Sequence, residues 1–226
     1  MPDPLKHVPV LSLAELRESY TRSGLAEADC DSSPVAQFQK WFSEAKAAQL
    51  REPNAMTLAT ADLDGKPSAR IVLLKEVSED GFVFFTNYSS RKGQELELNP
   101  DAALVFFWAE LERQVRIEGR VERVPREKSV AYAHRRPRGS QLGALVSHQS
   151  GIVRGGREYL EAKLKDLEIR YADTDTEKLP VLSDWGGYLL RPARLEFWQG
   201  RANRLHDRIL YRYTAEGKWV LERLSP

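Results

Sequence analysis

Hydrophobic and polar positions follow two rhythms along this chain. In "SSPVAQFQKWFSEAKAAQL" the period is helical: Val35, Phe38, Phe42 and Ala45 form one apolar stripe, Ser33 is placed to cap it, and Pro34 suits the first turn. Beyond it, short apolar or alternating runs predict strands in "AMTLATAD", "SARIVLLKEV" and "GFVFFTNY", separated by the turn signals "DLDGKP" and "SEDG". "SSRKGQELELNP" reads as a short helix stopped by Asn99-Pro100. Strands follow in "AALVFFW" and "RQVRIEGRVERV", then helices in "REKSVAYAHRR", "SQLGALVSH" and "REYLEAKLKDLEIRYAD". In the last of these, Leu160, Leu164, Leu167 and Tyr171 mark one face. "TDTEKLPVLSD" reads as a loop. Strands close the chain in "GGYLLRPARLEFWQG", "RILYRYT" and "KWVLERL", the last pair joined through "AEG".

Short antiparallel-style strands interrupted by helices predict an α+β fold with a barrel or closed sheet. Regular β-α alternation is missing, which disfavours a doubly wound sheet. With no repeats, low-complexity tract or linker, residues 34–226 are expected to form a single domain. Residues 1–33, polar and with three early prolines, are expected to form an arm, partly mobile, with a short helical candidate at "SLAELRESY".

Composition narrows the function classes. Lys and Arg (34) nearly balance Asp and Glu (33), which argues against a non-specific nucleic-acid binder while leaving room for a local basic pocket. The single cysteine, Cys30, excludes an intrachain disulfide framework and every multi-cysteine metal site. It fits a reducing compartment. The start shows no secretory pattern and no run approaches membrane-spanning length, so the expectation is a soluble, cytoplasmic protein with no membrane partner. The four histidines have no metal-ligand spacing, and no metal is expected. Dinucleotide, P-loop, zinc-protease and serine-hydrolase signatures are absent.

What remains is a set of basic and hydroxyl clusters. Arg70 and Lys75 bracket "ARIVLLK". Thr86, Ser89, Ser90, Arg91 and Lys92 gather where a strand gives way to a helix, an arrangement suited to a phosphate. "YAHRRPRGSQ" offers a second cluster in Tyr132, Arg136 and Ser140. Two clusters suggest two phosphorylated ligands or one ligand with two anionic ends. Extending the alternation of "RILYRY" backwards puts Arg204, His206 and Arg208 on one face, with Leu205 and Ile209 on the other. That row is either a solvated sheet face or a site for an anion. Phe84, Phe85, Trp108, Trp185 and Trp198 read mostly as core, Trp198 being the best candidate for a ligand wall because it lies beside the row.

Six motifs in order, "ARIVLLK", "FFTNYSSRKG", "ERQVRIEG", "RRPRGSQLGALVSHQS", "WGGY" and "FWQGRANRLHDRILY", resemble the pyridoxine (pyridoxamine) 5′-phosphate oxidase family over nearly the whole chain, with "RLHDR" the most diagnostic. The resemblance implies a split β-barrel, a homodimer, and one FMN per active site at the interface, with residues from both subunits. It implies oxidation of pyridoxine or pyridoxamine 5′-phosphate to pyridoxal 5′-phosphate, with O2 reduced to hydrogen peroxide. Carried over by motif, Arg70, Ile71, Val72, Leu73, Phe85, Thr86, Gln114, Gln149, Ser150, Trp198 and Arg208 would contact FMN, and Arg91 and Lys92 would hold its phosphate. Lys75, Tyr132, Arg136 and Ser140 would bind the substrate phosphate. Arg204 and His206, the catalytic pair, would face the pyridine ring with Leu205 between them, and Arg17 and Tyr20 would belong to an arm folding over the substrate. The chain departs from the family pattern at Arg135 and Gly151, where serine is usual, and in a longer "TDTEKLPVLSD" loop; none of these touches a carried-over residue. Two rivals stand beside this reading: another split-barrel flavoprotein that takes a nicotinamide, against which "RLHDR" and the second phosphate cluster argue, and a non-enzymatic pyridoxal 5′-phosphate carrier, which would not need the FMN cluster.

Overall fold

A computed structural model describes Tyr20 and residues 24–226. The chain order is α1 (Pro34–Ala47), β1 (Ala55–Ala61), β2 (Pro67–Leu73), β3 (Glu76–Ser78), β4 (Gly81–Asn87), α2 (Arg91–Leu98), β5 (Asp101–Trp108) and β6 (Arg113–Arg123). It continues through α3 (Arg126–Arg135), α4 (Arg138–Val146), α5 (Gly156–Arg170), β7 (Trp185–Gln199), β8 (Asp207–Tyr213) and β9 (Trp219–Arg223). All strands join one antiparallel sheet in the order β2-β1-β5-β6-β7-β4-β3, with β8 on β7 and β9 on β8. The α+β expectation holds. The sheet path is open, because no pair among the described strands joins β2 to β3, so the fully closed sheet is not what forms.

Strand β7 organises the sheet. On one side it pairs with β6 along Tyr188–Gln199; on the other its first half pairs with β4 and its second half with β8. The β6–β7 ladder shifts register at Glu118/Gly119. A Cβ on Gly119 would lie 2.0 Å from the Arg191 carbonyl oxygen, so only glycine permits the backbones to approach there.

The centre of the inner face is apolar. Leu58, Phe82, Phe84, Leu104, Phe106, Val115, Ile117, Leu195 and Phe197 have no measurable exposure. Helix α1 closes this core as its periodicity predicts. The Ser33 hydroxyl accepts from Ala36 N–H (3.3 Å), and Phe38 meets Phe82 and Phe106 edge-on, both at 5.0 Å. Trp41, absent from the predicted stripe, packs edge-on against Phe197 at 5.2 Å, while Phe42 is half-buried.

The opposite face is less covered: Ile71 on β2 is 66% exposed and Phe107 on β5 is 59% exposed. Helix α5 buries no residue, and its face of Leu160, Leu164, Leu167 and Tyr171 is half-buried. Among the described residues, no helix is long and apolar enough to cross a membrane.

Two further sequence expectations change. "SARIVLLKEV" is two strands, because Leu74 and Lys75 leave the ladder between β2 and β3. The alternation behind the row of Arg204, His206 and Arg208 also fails. β8 begins at Asp207, Ala202–Arg204 form a 3₁₀ turn, and Asn203 and Arg204 adopt left-handed φ values of 58° and 61°. Leu205 is therefore 69% exposed while Ile209 is fully buried, so the two do not share a face. The candidate helix at "SLAELRESY", apart from Tyr20, lies outside the described residues.

Candidate active site

The strand-to-helix junction after β4 builds the first cationic cluster. Its hydroxyls divide the work. Ser90 caps α2, accepting from Gly93 N–H (3.3 Å) and donating to the Asn87 carbonyl (2.6 Å); Ser89 donates to Asn87 Oδ1 (2.6 Å) and Asp184 Oδ2 (2.8 Å). Both are committed to the turn, which leaves Thr86 and the cations. Lys92 Nζ donates to Thr86 Oγ1 (3.2 Å) and Gln149 Oε1 (2.8 Å), joining β4, α2 and the segment after α4. Burial, with Arg70 nearby, pushes the Lys92 ammonium down in pKa.

Beneath it, Arg70 lies on the inner side of β2 and donates to Thr60 Oγ1 (2.6 Å), the Leu58 carbonyl (3.3 Å), Ser68 Oγ and Glu95 Oε2 (3.2 Å). Arg91 donates to Glu95 Oε1 (2.8 Å). Burial pushes the Glu95 carboxyl up, but hydrogen bonds from Ser68, Thr60, Arg91 and Arg70 outweigh it and hold the value at about 2. Three cations thus surround one carboxylate. The surplus of positive charge suits an anion.

The second cluster is an aromatic and cationic wall. Phe85 stacks on Tyr132 at 3.9 Å and 20°, Trp185 lies nearly parallel to Tyr132 at 6.2 Å, and the Arg136 guanidinium sits 4.9 Å above Trp185. Burial lowers the Arg136 pKa, so its charge is held against desolvation. Gln141 fixes the α3–α4 turn by donating to the carbonyls of His134 (3.3 Å) and Arg136 (2.9 Å). Helix α4 follows Pro137 with no side-chain cap, leaving first-turn N–H groups beside exposed Ser140. Lys75 is exposed between β2 and β3, and its neighbour Glu76 pairs with Lys128 of α3 (2.6 Å), one turn before Tyr132.

A third group lies at the far end of β7. Trp198 meets the His206 ring at 4.7 Å, and Tyr20 meets both rings edge-on at 5.5 Å. His206 Nδ1 accepts from the Arg201 backbone N–H (3.1 Å). In that geometry Nε2 carries the ring proton and is the atom left to donate. Arg208 is held by Glu196 and by the Ser225 carbonyl (2.8 Å). Arg204 is exposed, and its left-handed backbone is a strain of the kind that concentrates at functional sites.

The structure therefore gathers Thr86, Arg70, Arg91, Lys92 and Gln149 in one place, Phe85, Tyr132 and Arg136 in a second, and Tyr20, Trp198 and His206 in a third. Ile71 and Leu73 point away from Arg70 and Val72, as strand alternation requires, and Gln114 pairs across from Trp198. Ser150 is exposed with φ 71°. Arg17 lies outside the described residues. The third group is not brought to the first two: Trp185 and Trp198 are thirteen residues apart on β7, roughly 40 Å of strand. Sequence reading passed over Glu95, Glu196 and Gln141; Trp185, read as core, is indeed buried and also lies under Arg136. Glu95 alone had a local signal, its i,i+4 spacing from Arg91.

Comparison with known proteins places this geometry. Residues 42–171 match the model of a family described as pyridoxamine 5′-phosphate oxidase, and residues 185–226 match one described as pyridoxine 5′-phosphate oxidase C-terminal dimerisation region. The chain is 56% identical over 215 residues to the pyridoxine/pyridoxamine 5′-phosphate oxidase of Salinibacter ruber, covering 95% of this chain and 99% of that protein. Against the one from Bordetella avium it is 55% identical over 216 residues, covering 96% of this chain and all of that protein. Among solved structures, PhzG from Burkholderia lata, in complex with tetrahydrophenazine-1-carboxylic acid, superposes with a TM-score of 0.85 at 29% identity, covering 92% of this chain and all of that one. An FMN-binding protein from Nostoc punctiforme related to pyridoxamine 5′-phosphate oxidase shares the fold, with a TM-score of 0.70 at 16% identity, covering 87% of this chain and all of that one.

Proposed function

The chain belongs to the pyridoxamine 5′-phosphate oxidase family, and on that premise we propose that it oxidises pyridoxine or pyridoxamine 5′-phosphate to pyridoxal 5′-phosphate with FMN as cofactor and O2 as acceptor. One observation carries this reading: the chain has two separate cationic clusters, both reached from the end of β4. Thr86 leads to Lys92 and Gln149, while its neighbour Phe85 leads to Tyr132 and, through Trp185, to Arg136. Two phosphorylated ligands are what an enzyme joining FMN to a phosphorylated vitamin needs. A single-ligand carrier would need one anchor.

The residues fit FMN by their charge. Arg70, Arg91 and Lys92 outnumber Glu95, and the depressed ammonium of Lys92 is relieved when a phosphate dianion supplies the missing negative charge. First-turn N–H groups of α2 add donors. Gln114, Trp198 and Arg208, with Ile71 and Leu73, are the side chains toward the ring. FMN held there would supply the redox chemistry, taking hydride from C4′ of the substrate and reducing O2.

The chain's own residues position the reaction. Lys75, Tyr132, Arg136 and Ser140 hold the substrate phosphate, Arg136 stiffened by Trp185. His206, oriented by the Arg201 N–H, donates from Nε2 to the substrate, and Arg204 orients the ring and assists removal of the proton from the hydroxyl or amino group on C4′. Tyr20 covers the ring from the Trp198 side, with Arg17 on the same arm. Arg208 supplies positive charge where negative charge develops.

Because Arg204 and His206 lie a strand's length from Tyr132 and Arg136, the active site is composite: a second copy of the chain brings them together in a homodimer, with FMN at the interface. The match of residues 185–226 to a dimerisation region supports this arrangement. Residues 1–33 act as the arm and 34–226 as the catalytic domain. The single cysteine fits a cytoplasmic setting.

The test is spectroscopic. Purified protein with FMN, given pyridoxamine 5′-phosphate without oxygen, should lose its visible flavin absorbance and regain it in air. Absorbance that ignores this substrate but bleaches with a nicotinamide would contradict the assignment.

A further inference from the structure

On the uncovered face of the sheet, Glu196 of β7 is a carboxylate only 7% exposed. Alternation places it beside Trp198, two residues on, and the β7–β8 register sets Trp198 opposite Arg208. Glu196 Oε1 accepts from Arg208 Nε (2.8 Å) and Oε2 from Arg208 Nη2 (3.1 Å), a two-point contact that fixes the guanidinium plane. Oε2 also accepts from Arg116 Nη1 (3.1 Å), so neither oxygen is left without a partner. The remaining Arg208 terminus, Nη1, donates to the Ser225 carbonyl (2.8 Å). Arg208 therefore cannot turn freely. Glu118, on the same face, pairs with Arg116 (2.6 Å) and Arg194 (3.5 Å) but not with Arg208.

We infer that Glu196 is a positioning residue for the flavin ring: it holds Arg208 in the one orientation that meets the ring, acting through Arg208 rather than by touching the cofactor. This rests on the FMN reading above. Arg208 serves the ring side, whereas Lys92 and Arg91 serve the phosphate, so loss of Glu196 should weaken FMN and riboflavin alike.

The experiment titrates FMN and riboflavin into flavin-free full-length protein by fluorescence quenching. The proteins are the natural chain, Glu196→Gln, Arg208→Ala, the double variant and Glu118→Gln. Glu196→Gln should raise both dissociation constants by about tenfold, the worth of a charge-assisted contact. The double variant should be no weaker than Arg208→Ala, since one residue acts through the other. Glu118→Gln should leave both constants unchanged. Natural affinity in Glu196→Gln, additive losses in the double variant, or an equal loss in Glu118→Gln would each overturn the inference. A natural chain that takes up no FMN would overturn the cofactor reading instead. Thermal melting of each variant is recorded alongside. If Glu196→Gln melts early, Arg208→Lys decides: lysine keeps the charge but cannot make the two-point contact, so it should show the same loss for both flavins, and unchanged binding would overturn the inference.

Discussion

Arg204 is where local strain and proposed chemistry coincide. Its left-handed backbone follows a second left-handed residue, Asn203, and the pair turns the chain sharply before β8 begins. Such conformations cost of order 1–3 kcal/mol each and persist where the surroundings impose them. Arg204→Ala should lower kcat on the order of a hundredfold while FMN stays bound; steady-state kinetics with a flavin spectrum checks both, and loss of flavin would show that Arg204 belongs to the cofactor instead. Glu95 makes a different prediction. Its carboxyl falls from 4.5 to about 2 on folding, so the ionised form stabilises the fold, fully above pH 4.5 and progressively less as pH drops toward 2. The melting temperatures of the natural chain and Glu95→Gln should therefore differ near neutrality and converge over that window; a constant gap across it would contradict the assignment. The cations at Arg70, Arg91 and Lys92 were legible in the sequence because they cluster at a strand end and a helix start. Glu196 was not, because the arginine it meets depends on strand pairing; Glu95 had only its helical spacing from Arg91, and its bond to Arg70 depends on how α2 packs against β2.

Helix α2 shows how an element positions chemistry. Its first turn packs so closely on the turn before it that a Cβ on Gly93 would meet the Tyr88 carbonyl oxygen at 2.3 Å and its carbon at 2.6 Å. These are backbone atoms and cannot swing away. Gly93→Ala should therefore push the helix start outward, destabilise the fold by about 1–3 kcal/mol and weaken FMN binding, because Arg91 and Lys92 move with it. A denaturant titration and a flavin titration read the two effects; unchanged values in both would refute the packing argument. Most elements followed from periodicity, since β4 is buried almost throughout and α1 carries a single apolar stripe. The failures are instructive. Alternation cannot reveal that Lys75 leaves the ladder, because Leu74 is buried all the same. It also cannot foresee the 3₁₀ turn before β8, because Asn203 and Arg204 carry no glycine to announce a left-handed bend.

At the scale of the whole molecule, β7 acts as a spacer. It carries Trp185 with the Arg136 wall at one end and Trp198 with His206 at the other. A pyridoxine phosphate cannot span that length of strand, so on the proposed reading a single chain holds two half-sites. Sequence motifs supplied the candidate residues of both groups but not their separation, which depends on the path of the sheet. The composite site is tested most directly by complementation. Lys75→Ala removes a phosphate anchor from one half and Arg204→Ala a group from the other, and each homodimer should be nearly inactive at substrate concentrations well below KM, where lost anchoring shows fully. Co-expressed in equal amounts, the two chains should form mixed dimers in which one of the two sites is intact, restoring roughly a quarter of the natural number of sites. Activity no greater than the average of the two variants alone would contradict the composite site and return both halves to a single chain.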